Sequence, residues 1–270
     1  MIGTQKKILM IGCGAMGSAL VQGWQPFYNI TIVDPAHPKG VHHPDDLPLD
    51  YQPDILVLAV KPQIMAVIIS QYVSRFDNAA IVWVSIAAGI PLSFYQRILH
   101  HATFVRAMPN LPAKVHQGMT GLVAKAGPIP LIESLFRQVG KTLWVHEECH
   151  LDAVTAIAGS GPSYFYALVE ALAQAGEVLG LPFEEAMVVA RQTAIGAAKI
   201  LDHSSESVKY LCQQVTSPNG TTAAALDQLN HPEAGLVPLM KRAAGAAYQR
   251  AQRLGQDYFK NHSLEEEVLP

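Results

Sequence analysis

A glycine-rich stretch near the start of the sequence has the spacing of a nucleotide-binding turn. In GCGAMG, residues Gly12, Gly14 and Gly17 follow the G-x-G-x-x-G pattern, with a β-like run at residues 7–12 before them and a helix-like run after them. The glycines permit a tight turn, and the start of the following helix offers free backbone amides to a pyrophosphate. The stretch therefore predicts a dinucleotide site, and a coincidental glycine turn in an α/β fold is the alternative.

An acidic residue at the end of the next β-like run supports this prediction. Residues 30–33 form that run, and Asp34 follows it. A carboxylate there can accept hydrogen bonds from both ribose hydroxyls of an adenosine and repels a 2′-phosphate, which favours NADH over NADPH. His37 and Lys39 follow closely and can meet a phosphate, so NADPH stays the alternative.

A second stretch, VTSPNGTT at residues 215–222, lies between two helix-like segments. The hydroxyls of Ser217, Thr221 and Thr222, together with free amides after Pro218 at a helix start, make a neutral pocket able to hold a carboxylate. Taken by itself, the stretch is explained more simply as an ordinary helix cap.

A third pattern, HEECH at residues 146–150, matches the zinc-protease sequence H-E-x-x-H. That chemistry needs both histidines on one face of a continuous helix. His146 ends the β-like run KTLWV, and the next helix is expected to begin only near Leu151. We therefore interpret the pattern as a junction between domains, with Glu147 and Glu148 facing the cleft, and expect no metal.

Strand-like and helix-like runs alternate in the first half of the sequence. The strand-like run at residues 54–60, continuously apolar after Asp54, is typical of a parallel strand covered on both faces, and Lys61 follows it. Another run, at residues 80–85, leads to the small residues Ala87 and Ala88, which leave room for a nicotinamide or a ribose. Because strand carboxyl ends line the crevice of a doubly wound sheet, Lys61 is expected beside the cofactor, with a solvent-facing lysine as the alternative.

The second half predicts helices only. The segment after Ala156 is apolar nearly all round, as expected of a helix buried in a larger body or against a second subunit. The sequence thus predicts an α/β fold: an N-terminal Rossmann-type doubly wound sheet at residues 1–150, followed by an all-α dimerisation domain at residues 151–270. Helices are expected near residues 151–180, 183–201, 206–216, 219–229 and 235–258.

Composition narrows the classes of partner and compartment. The 270 residues are 50% hydrophobic, enough for sizeable cores, and the net charge is −3 without a cluster of Lys or Arg. Nucleic acid and membranes are therefore not expected as partners, and the apolar runs are too short or too Gly-interrupted to span a bilayer. Cys13, Cys149 and Cys212 show no paired spacing, and the first apolar run is typical of a strand and not of a signal peptide, so a cytoplasmic location without disulfides is expected.

The combination of motifs resembles the pyrroline-5-carboxylate reductase family, which makes proline by reducing a cyclic imine with NAD(P)H. The resemblance implies a Rossmann domain and a helical domain that interlocks with its twin in a homodimer, or in a decamer built from such dimers. It places the substrate loop of one chain near the cofactor of its partner. The matching stretches are GCGAMG at 12–17, AVKP at 59–62, SIAAGI at 85–90, RAMPNLP at 106–112, AGSGPSY at 158–164, QTAIGAAKIL at 192–201 and SPNGTT at 217–222.

The resemblance also implies which residues hold the ligands. The cofactor residues are Ile11, Gly12, Cys13, Gly14, Ala15, Met16, Ala59, Val60, Lys61, Pro62, Ala87 and Ala88. Asp34, inferred above from its place after the second β-like run, joins them; it departs from the small or hydroxyl residues often seen in phosphate-accepting members, which strengthens the preference for NADH. The residues for the small imine substrate are Ser217, Gly220, Thr221 and Thr222. Glu148, expected at the cleft, and Gln214, just before the loop, are further candidates for substrate contact. Thr222 is the catalytic candidate, because it is placed to hydrogen-bond the imine nitrogen.

Three positions depart from the usual family pattern. Asn219 stands where a second glycine is usual, Leu111 stands where MPNTP has a threonine, and Gln214 stands where an asparagine is frequent. Since asparagine tolerates left-handed backbone, Asn219 is expected to preserve the loop.

The implied reaction is hydride transfer from the nicotinamide to the C=N carbon of 1-pyrroline-5-carboxylate, giving L-proline. No His, Asp or Glu stands in SPNGTT as a general acid, so Thr222 is expected to orient a proton or water while positioning supplies most of the rate. One competing interpretation is a β-hydroxyacid dehydrogenase, which needs a lysine on the helix after its glycine turn; none lies between Ile157 and Gly180, and Phe165 stands near that place. Another imine reductase and a non-catalytic nucleotide-binding protein also stay open as interpretations of the sequence.

Overall fold

Seven strands form one sheet in the computed structural model, which describes residues 5–127 and 129–261, with side chains described as far as residue 256. The strands are β1 (Lys7–Ile11), β2 (Asn29–Val33), β3 (Ile55–Leu58), β4 (Val82–Ser85), β5 (Thr103–Met108), β6 (Gly118–Val123) and β7 (Gly140–Trp144). Their order is β2-β1-β3-β4-β5-β6-β7, and the β5–β6 pair is antiparallel while the other pairs are parallel. The predicted doubly wound, mostly parallel sheet is confirmed.

Apolar side chains alternate between the two faces of the sheet. Leu9 and Leu56 belong to one buried cluster, whereas Ile8 and Ile55 belong to the other. Because successive side chains of a strand point to opposite faces, both faces of β1 and β3 must be covered. The helices of this part of the chain are α1 (Ala15–Trp24), α2 (Met65–Phe76), α3 (Leu92–Ile98), α4 (Pro130–Arg137) and α5 (Cys149–Val154).

The remaining helices follow a wide turn. Residues Thr155–Gly159 form a π-helical turn in which the amide of Ser160 donates to the carbonyl of Thr155 at 2.9 Å. The single helix expected over residues 151–180 is therefore wrong in detail: α5 begins earlier, and the turn separates it from the next helix. The helices after it are α6 (Gly161–Val178), α7 (Phe183–His203), α8 (Val208–Gln214), α9 (Thr221–Leu229) and α10 (Leu236–Asn261).

The chain divides into two compact units, Met1–Ser160 with Ala247–Pro270, and Gly161–Ala246. The division therefore falls after Ser160, whereas the sequence placed a domain boundary after residue 150. Leu151 explains part of the difference, because this residue of α5 is buried in a core cluster of the sheet. The domain limits of 1–150 and 151–270 stay a prediction.

The second unit leaves much of its apolar surface uncovered. Helices α6 and α7 pack through the small residues Ala173, Ala186 and Ala190. Exposed apolar patches of this extent mark surfaces that contact other protein. Among the described residues, no helix is long and apolar enough to cross a membrane. Large exposed side chains on α6 and α7 include Phe165, Tyr166, Leu172, Val178, Val188, Val189 and Ile200.

Candidate active site

The glycine turn after β1 has a shape that only glycine at its first position permits. Gly12 has a φ of 82°, and its amide donates to the carbonyl of Val33 at 2.9 Å. A Cβ on Gly12 would lie 2.8 Å from Cγ1 of Val60 and 3.0 Å from the carbonyl oxygen of Ala59. The turn therefore sits directly against the residues that follow β3, as the motif requires.

The second glycine of the motif faces open space. Gly14 precedes α1, no side chain caps the helix there, and a Cβ on Gly14 would meet nothing within 4 Å. The first amides of a helix have no partner within the helix, so the start of α1 presents donors toward this space. The donors and the space fit the pyrophosphate of a dinucleotide. The cofactor contacts of Ile11, Cys13, Ala15 and Met16 around the turn stay predictions.

The acidic residue after β2 is joined to the same turn. The Oδ2 of Asp34 accepts a hydrogen bond from the amide of Cys13 at 2.7 Å, and Oδ1 accepts from the amide of Ala36 at 2.8 Å. His37 and Lys39 lie near Cys13, since all three line a cavity of about 460 Å³. The structure thus brings the carboxylate that would exclude a 2′-phosphate close to His37 and Lys39, the two side chains that could meet one.

The ends of β3 and β4 lie at the same carboxyl edge as the end of β1. The amide of Ala59 donates to the carbonyl of Ile11 at 2.8 Å, whereas Lys61 is exposed and precedes a 3₁₀ turn that begins at Pro62. The hydroxyl of Ser85 accepts hydrogen bonds from the hydroxyl of Tyr95 at 2.8 Å and from the amide of Ala87 at 3.1 Å. These contacts fix the loop after β4, which carries Ala87 and Ala88.

This edge contains the switch point of the sheet. The chain leaves β1 toward β2 on one side and later returns to β3 on the other, so the loops after β1 and β3 diverge. Ligands of open α/β sheets bind in the crevice at such a point. The predicted cofactor residues Val60 and Ala88 lie in loops at this edge.

An ion pair between a buried arginine and a half-buried glutamate lies beside the loop after β4. Arg106 on β5 is 5% exposed, and its guanidinium pairs with the carboxylate of Glu148. The Oε1 of Glu148 also accepts a hydrogen bond from the amide of Leu92 at 2.7 Å. Burial raises the pKa of the nearby Asp152; the charge of Arg106 opposes that shift, and the carboxylate of Glu148 adds to it. The proposed substrate contact of Glu148 stays a prediction, and its pairing with Arg106 is a contact that sequence reasoning missed.

A second buried polar residue ties the segment after β5 to the π-helical turn. The Nδ2 of Asn110 donates to the carbonyl of Ala158 at 2.9 Å, and its Oδ1 accepts from the amide of Met119 at 2.8 Å. Asn110 belongs to RAMPNLP, and Ala158 belongs to AGSGPSY. Two stretches that identified the family in sequence therefore meet in the structure, although nothing in their sequences indicated this contact.

The hydroxyl loop between α8 and α9 is a tight turn. Asn219 has a φ of 58°, which confirms the expected left-handed backbone, and the amide of Gly220 donates to the carbonyl of Ser217 at 3.0 Å. A Cβ on Gly220 would lie 2.2 Å from the Oγ of Ser217 and 3.1 Å from its carbonyl oxygen, so a larger residue here would require the side chain of Ser217 to move. Helix α9 begins at Thr221, and its first amides face the turn.

The turn collects most of the predicted substrate residues. Gln214 ends α8, and Ser217 and Thr221 are exposed while Thr222 is half-buried. These residues and Gly220 lie in the unit Gly161–Ala246, whereas Glu148 lies in the other unit. Hydroxyls beside the start of a helix can accept and donate hydrogen bonds to a carboxylate or an imine.

The HEECH pattern does not form a zinc-protease helix. Strand β7 ends at Trp144 and α5 begins at Cys149, so His146 lies outside the helix, as expected. The interpretation of the pattern as a junction between domains, with Glu147 and Glu148 facing the cleft, stays a prediction. Exposed Glu147, Cys149 and His150 place their ligand atoms within 4.8 Å of one another in the described part of the chain. The expectation that the protein needs no metal stays a prediction.

Comparisons with known proteins assign the chain to a family. The family model for pyrroline-5-carboxylate reductase dimerisation matches residues 148–254. Pyrroline-5-carboxylate reductases from Pseudomonas aeruginosa and Pasteurella multocida are 36% and 35% identical; the matches cover 93% and 92% of this chain and 98% of each relative.

Solved structures agree with these relatives. A pyrroline-5-carboxylate reductase from Coxiella burnetii has a TM-score of 0.82 at 32% identity, covering 93% of this chain and 99% of that one. The Plasmodium falciparum pyrroline carboxylate reductase, solved with NADP bound, has a TM-score of 0.77 at 25% identity, covering 93% and 98%. Because the Pseudomonas aeruginosa reductase is 36% identical to this chain over nearly the whole length of both proteins, this chain belongs to the pyrroline-5-carboxylate reductase family.

Proposed function

We propose that this protein reduces 1-pyrroline-5-carboxylate to L-proline with a nicotinamide dinucleotide. The observation that supports this most directly is the turn at residues 217–222, which gathers three hydroxyls at the start of α9 in a member of this family. A small anionic substrate is the kind of ligand that such a turn can hold. The glycine turn at Gly12 and Gly14 supports the second requirement, a dinucleotide site.

The cofactor residues fall into two groups. The glycine turn and the start of α1 would hold the pyrophosphate, and Asp34 would hold the adenosine ribose. The loops after β3 and β4, with Lys61 and Ala87, would hold the nicotinamide half. We propose a preference for NADH because of Asp34; His37 and Lys39 beside it are the groups that would serve NADPH instead.

The residues of the hydroxyl turn would orient the substrate. The amides at the start of α9 and the hydroxyls of Ser217 and Thr221 would bind the carboxylate, and the hydroxyl of Thr222 would hydrogen-bond the imine nitrogen. When bound, the nicotinamide supplies the hydride. Because the turn itself holds no His, Asp or Glu, Thr222 would orient the proton or water that keeps the imine protonated, and correct positioning would supply most of the rate.

The uncovered faces of α6 and α7 support a homodimer. The family model that matches this chain describes dimerisation, and Phe165 and Val188 are among the large apolar side chains exposed there. Burying these faces against a second copy would remove apolar area from water. A decamer built from such dimers stays a prediction, as does a cytoplasmic location.

The test is the oxidation of NADH and, separately, of NADPH by the purified protein, with and without 1-pyrroline-5-carboxylate, while the proline formed is quantified. We expect substrate-dependent oxidation with one proline formed for each cofactor oxidised, and faster turnover with NADH. Binding of both cofactors without any substrate-dependent oxidation would contradict the proposal and favour a non-catalytic nucleotide-binding protein. Oxidation with a different cyclic imine alone would favour another imine reductase.

A further inference from the structure

The carboxylate of Glu148 joins three elements of the first unit. It accepts hydrogen bonds from the guanidinium of Arg106 on β5 and from the amide of Leu92, and it precedes α5 itself. Leu92 is the first residue of α3, so its amide has no partner within that helix. Glu148 therefore satisfies the donor at the point where the loop after β4 becomes a helix.

The charge of Arg106 makes this contact hard to replace. The residue is 5% exposed, and its Nε is buried without a hydrogen-bond partner among the described residues. A buried charge is costly unless it is paired and hydrogen-bonded. Arg106 thus holds the carboxylate of Glu148 in place, and Glu148 in turn holds Leu92.

The same loop is held from a second direction. We call residues 86–91 the β4 loop. Gly89 in this loop has a φ of 82°, and a Cβ there would lie 3.0 Å from the backbone nitrogen of Gly255. A Cβ on Gly255 of α10 would lie 2.5 Å from the carbonyl oxygen of Gly89. Two glycines therefore allow α10 to press directly on the β4 loop.

The β4 loop lies where the nicotinamide half of the cofactor is expected. Strand β4 is next to β3, on the opposite side of β1 from β2, and its carboxyl end at Ser85 lies at the ligand edge of the sheet. A dinucleotide crosses the switch point, with its adenosine half toward β2. The other half therefore reaches the loops after β3 and β4, where Ala87 and Ala88 lie.

We propose that Glu148 is a positioning residue: paired with buried Arg106, it holds the β4 loop through the amide of Leu92 in the shape that receives the nicotinamide end of the cofactor. The proposal rests on the proposed function, since that function places the nicotinamide at this loop. Glu148 then acts through the loop and does not touch the substrate.

The first test compares three variants of the full-length protein. Glu148→Ala removes the acceptor, Glu148→Gln keeps an acceptor without the charge, and Glu147→Gln is the matched control at an exposed neighbour. The Kd of NADH and of NADPH is measured by fluorescence titration without substrate. We expect Glu148→Ala to raise the Kd about tenfold, Glu148→Gln to raise it less, and Glu147→Gln to leave it unchanged.

Steady-state kinetics then separate positioning from substrate contact. At saturating cofactor, the KM for 1-pyrroline-5-carboxylate is expected to stay within about twofold in Glu148→Gln, because the loop and not the substrate is affected. An unchanged cofactor Kd in folded Glu148→Ala would overturn the proposal. So would a raised substrate KM with an unchanged cofactor Kd, which is the result that direct substrate contact predicts.

Two further variants keep the test valid if an unpaired Arg106 disturbs folding. The first is the double variant Arg106→Met with Glu148→Ala, which removes the buried charge but leaves the amide of Leu92 unpaired. We therefore expect its cofactor Kd to stay raised above that of the wild type, as in Glu148→Ala alone. A return to the wild-type Kd would overturn the proposal, because the loss would then come from the unpaired arginine.

The second variant, Gly255→Ala, disturbs the β4 loop from the other side without changing any charge. We expect Gly255→Ala to raise the cofactor Kd as well, because its Cβ would meet the carbonyl of Gly89. An unchanged Kd would contradict the claim that cofactor binding needs the β4 loop in one shape. These titrations need no substrate. A wild-type protein that binds cofactor but does not reduce the imine would therefore contradict the proposed function and leave the role of Glu148 testable.

Discussion

The amide of Cys13 donates a hydrogen bond to the carboxylate of Asp34 at 2.7 Å, so the acidic residue at the end of β2 is fixed to the glycine turn. Its second oxygen accepts from the amide of Ala36. Each carboxylate oxygen can accept more than one hydrogen bond, so both retain capacity for a ribose hydroxyl. The same side chain thus shapes the turn and presents a negative charge beside it.

Replacing Asp34 tests the basis of the cofactor preference. In Asp34→Ser the repulsion of a 2′-phosphate disappears, and we expect the ratio of kcat/KM with NADPH to kcat/KM with NADH to rise about tenfold. The shorter serine also loses the contact with Cys13, so the Kd of NADH is expected to rise. Asp50→Ser, at an exposed position, is the control. A ratio that does not change would show that Asp34 does not set the preference.

Replacing Thr222 tests its role at the imine. We expect Thr222→Ala to lower kcat about a hundredfold while the Kd of the cofactor stays unchanged, because the lost hydroxyl orients the proton at the substrate only. Thr222→Ser, which keeps the hydroxyl, is the matched variant and should retain most of the activity. Turnover of Thr222→Ala at the wild-type rate would remove Thr222 from the mechanism.

Features set by a few neighbouring residues were predictable from the sequence. The glycine turn depends on backbone freedom at Gly12 and on open space at Gly14, and the left-handed backbone at Asn219 follows from its own side chain. The sheet was predictable because short, wholly apolar runs such as β3 must be covered on both faces.

Features that join distant parts of the chain were not predictable in this way. Arg106 and Glu148 are 42 residues apart, and they meet because β5 lies beside β4 and α5 packs against the sheet. The π-helical turn before α6 was also missed. Its sequence has no period that separates it from an α-helix, and Asn110, which donates to the carbonyl of Ala158, lies in the distant segment that follows β5.

The uncovered surface of α7 predicts an interface that a single charge can break. Val188 is 68% exposed in the single chain, and we expect Val188→Asp to shift the protein toward the monomer in light scattering, because burying an unpaired carboxylate is costly. Val67 on α2 is 65% exposed, so Val67→Asp is a closely matched control that should keep the wild-type mass. An unchanged mass for Val188→Asp would place the dimer interface elsewhere.

Asp77 predicts how stability depends on pH. Its carboxylate accepts hydrogen bonds from the amides of His100, His101 and Ala102, each at 2.9 Å. Partial burial raises the pKa of Asp77. The hydrogen bonds from the amides of His100, Ala102 and His101, together with the charge of His101, lower the pKa by more than burial raises it, so the net shift is downward. A carboxyl group whose pKa is lowered on folding stabilises the folded state above its unfolded pKa of about 3.9, and this stability is lost as the pH falls through the folded pKa.

Asp77→Asn should therefore unfold at a lower urea concentration than the wild type at about pH 7, and the difference should shrink as the pH falls below about 4. The neutral amide cannot offer two charged acceptor oxygens to three backbone donors, so the loop between α3 and β5 loses its anchor. Asp50→Asn removes an equal charge at an exposed position and should leave the urea midpoint unchanged across the same range. At low pH the charge of Asp77 is already lost. If the urea midpoints of Asp77→Asn and the wild type still differed by as much there as at about pH 7, the side chain would stabilise the loop by its shape and not by its charge.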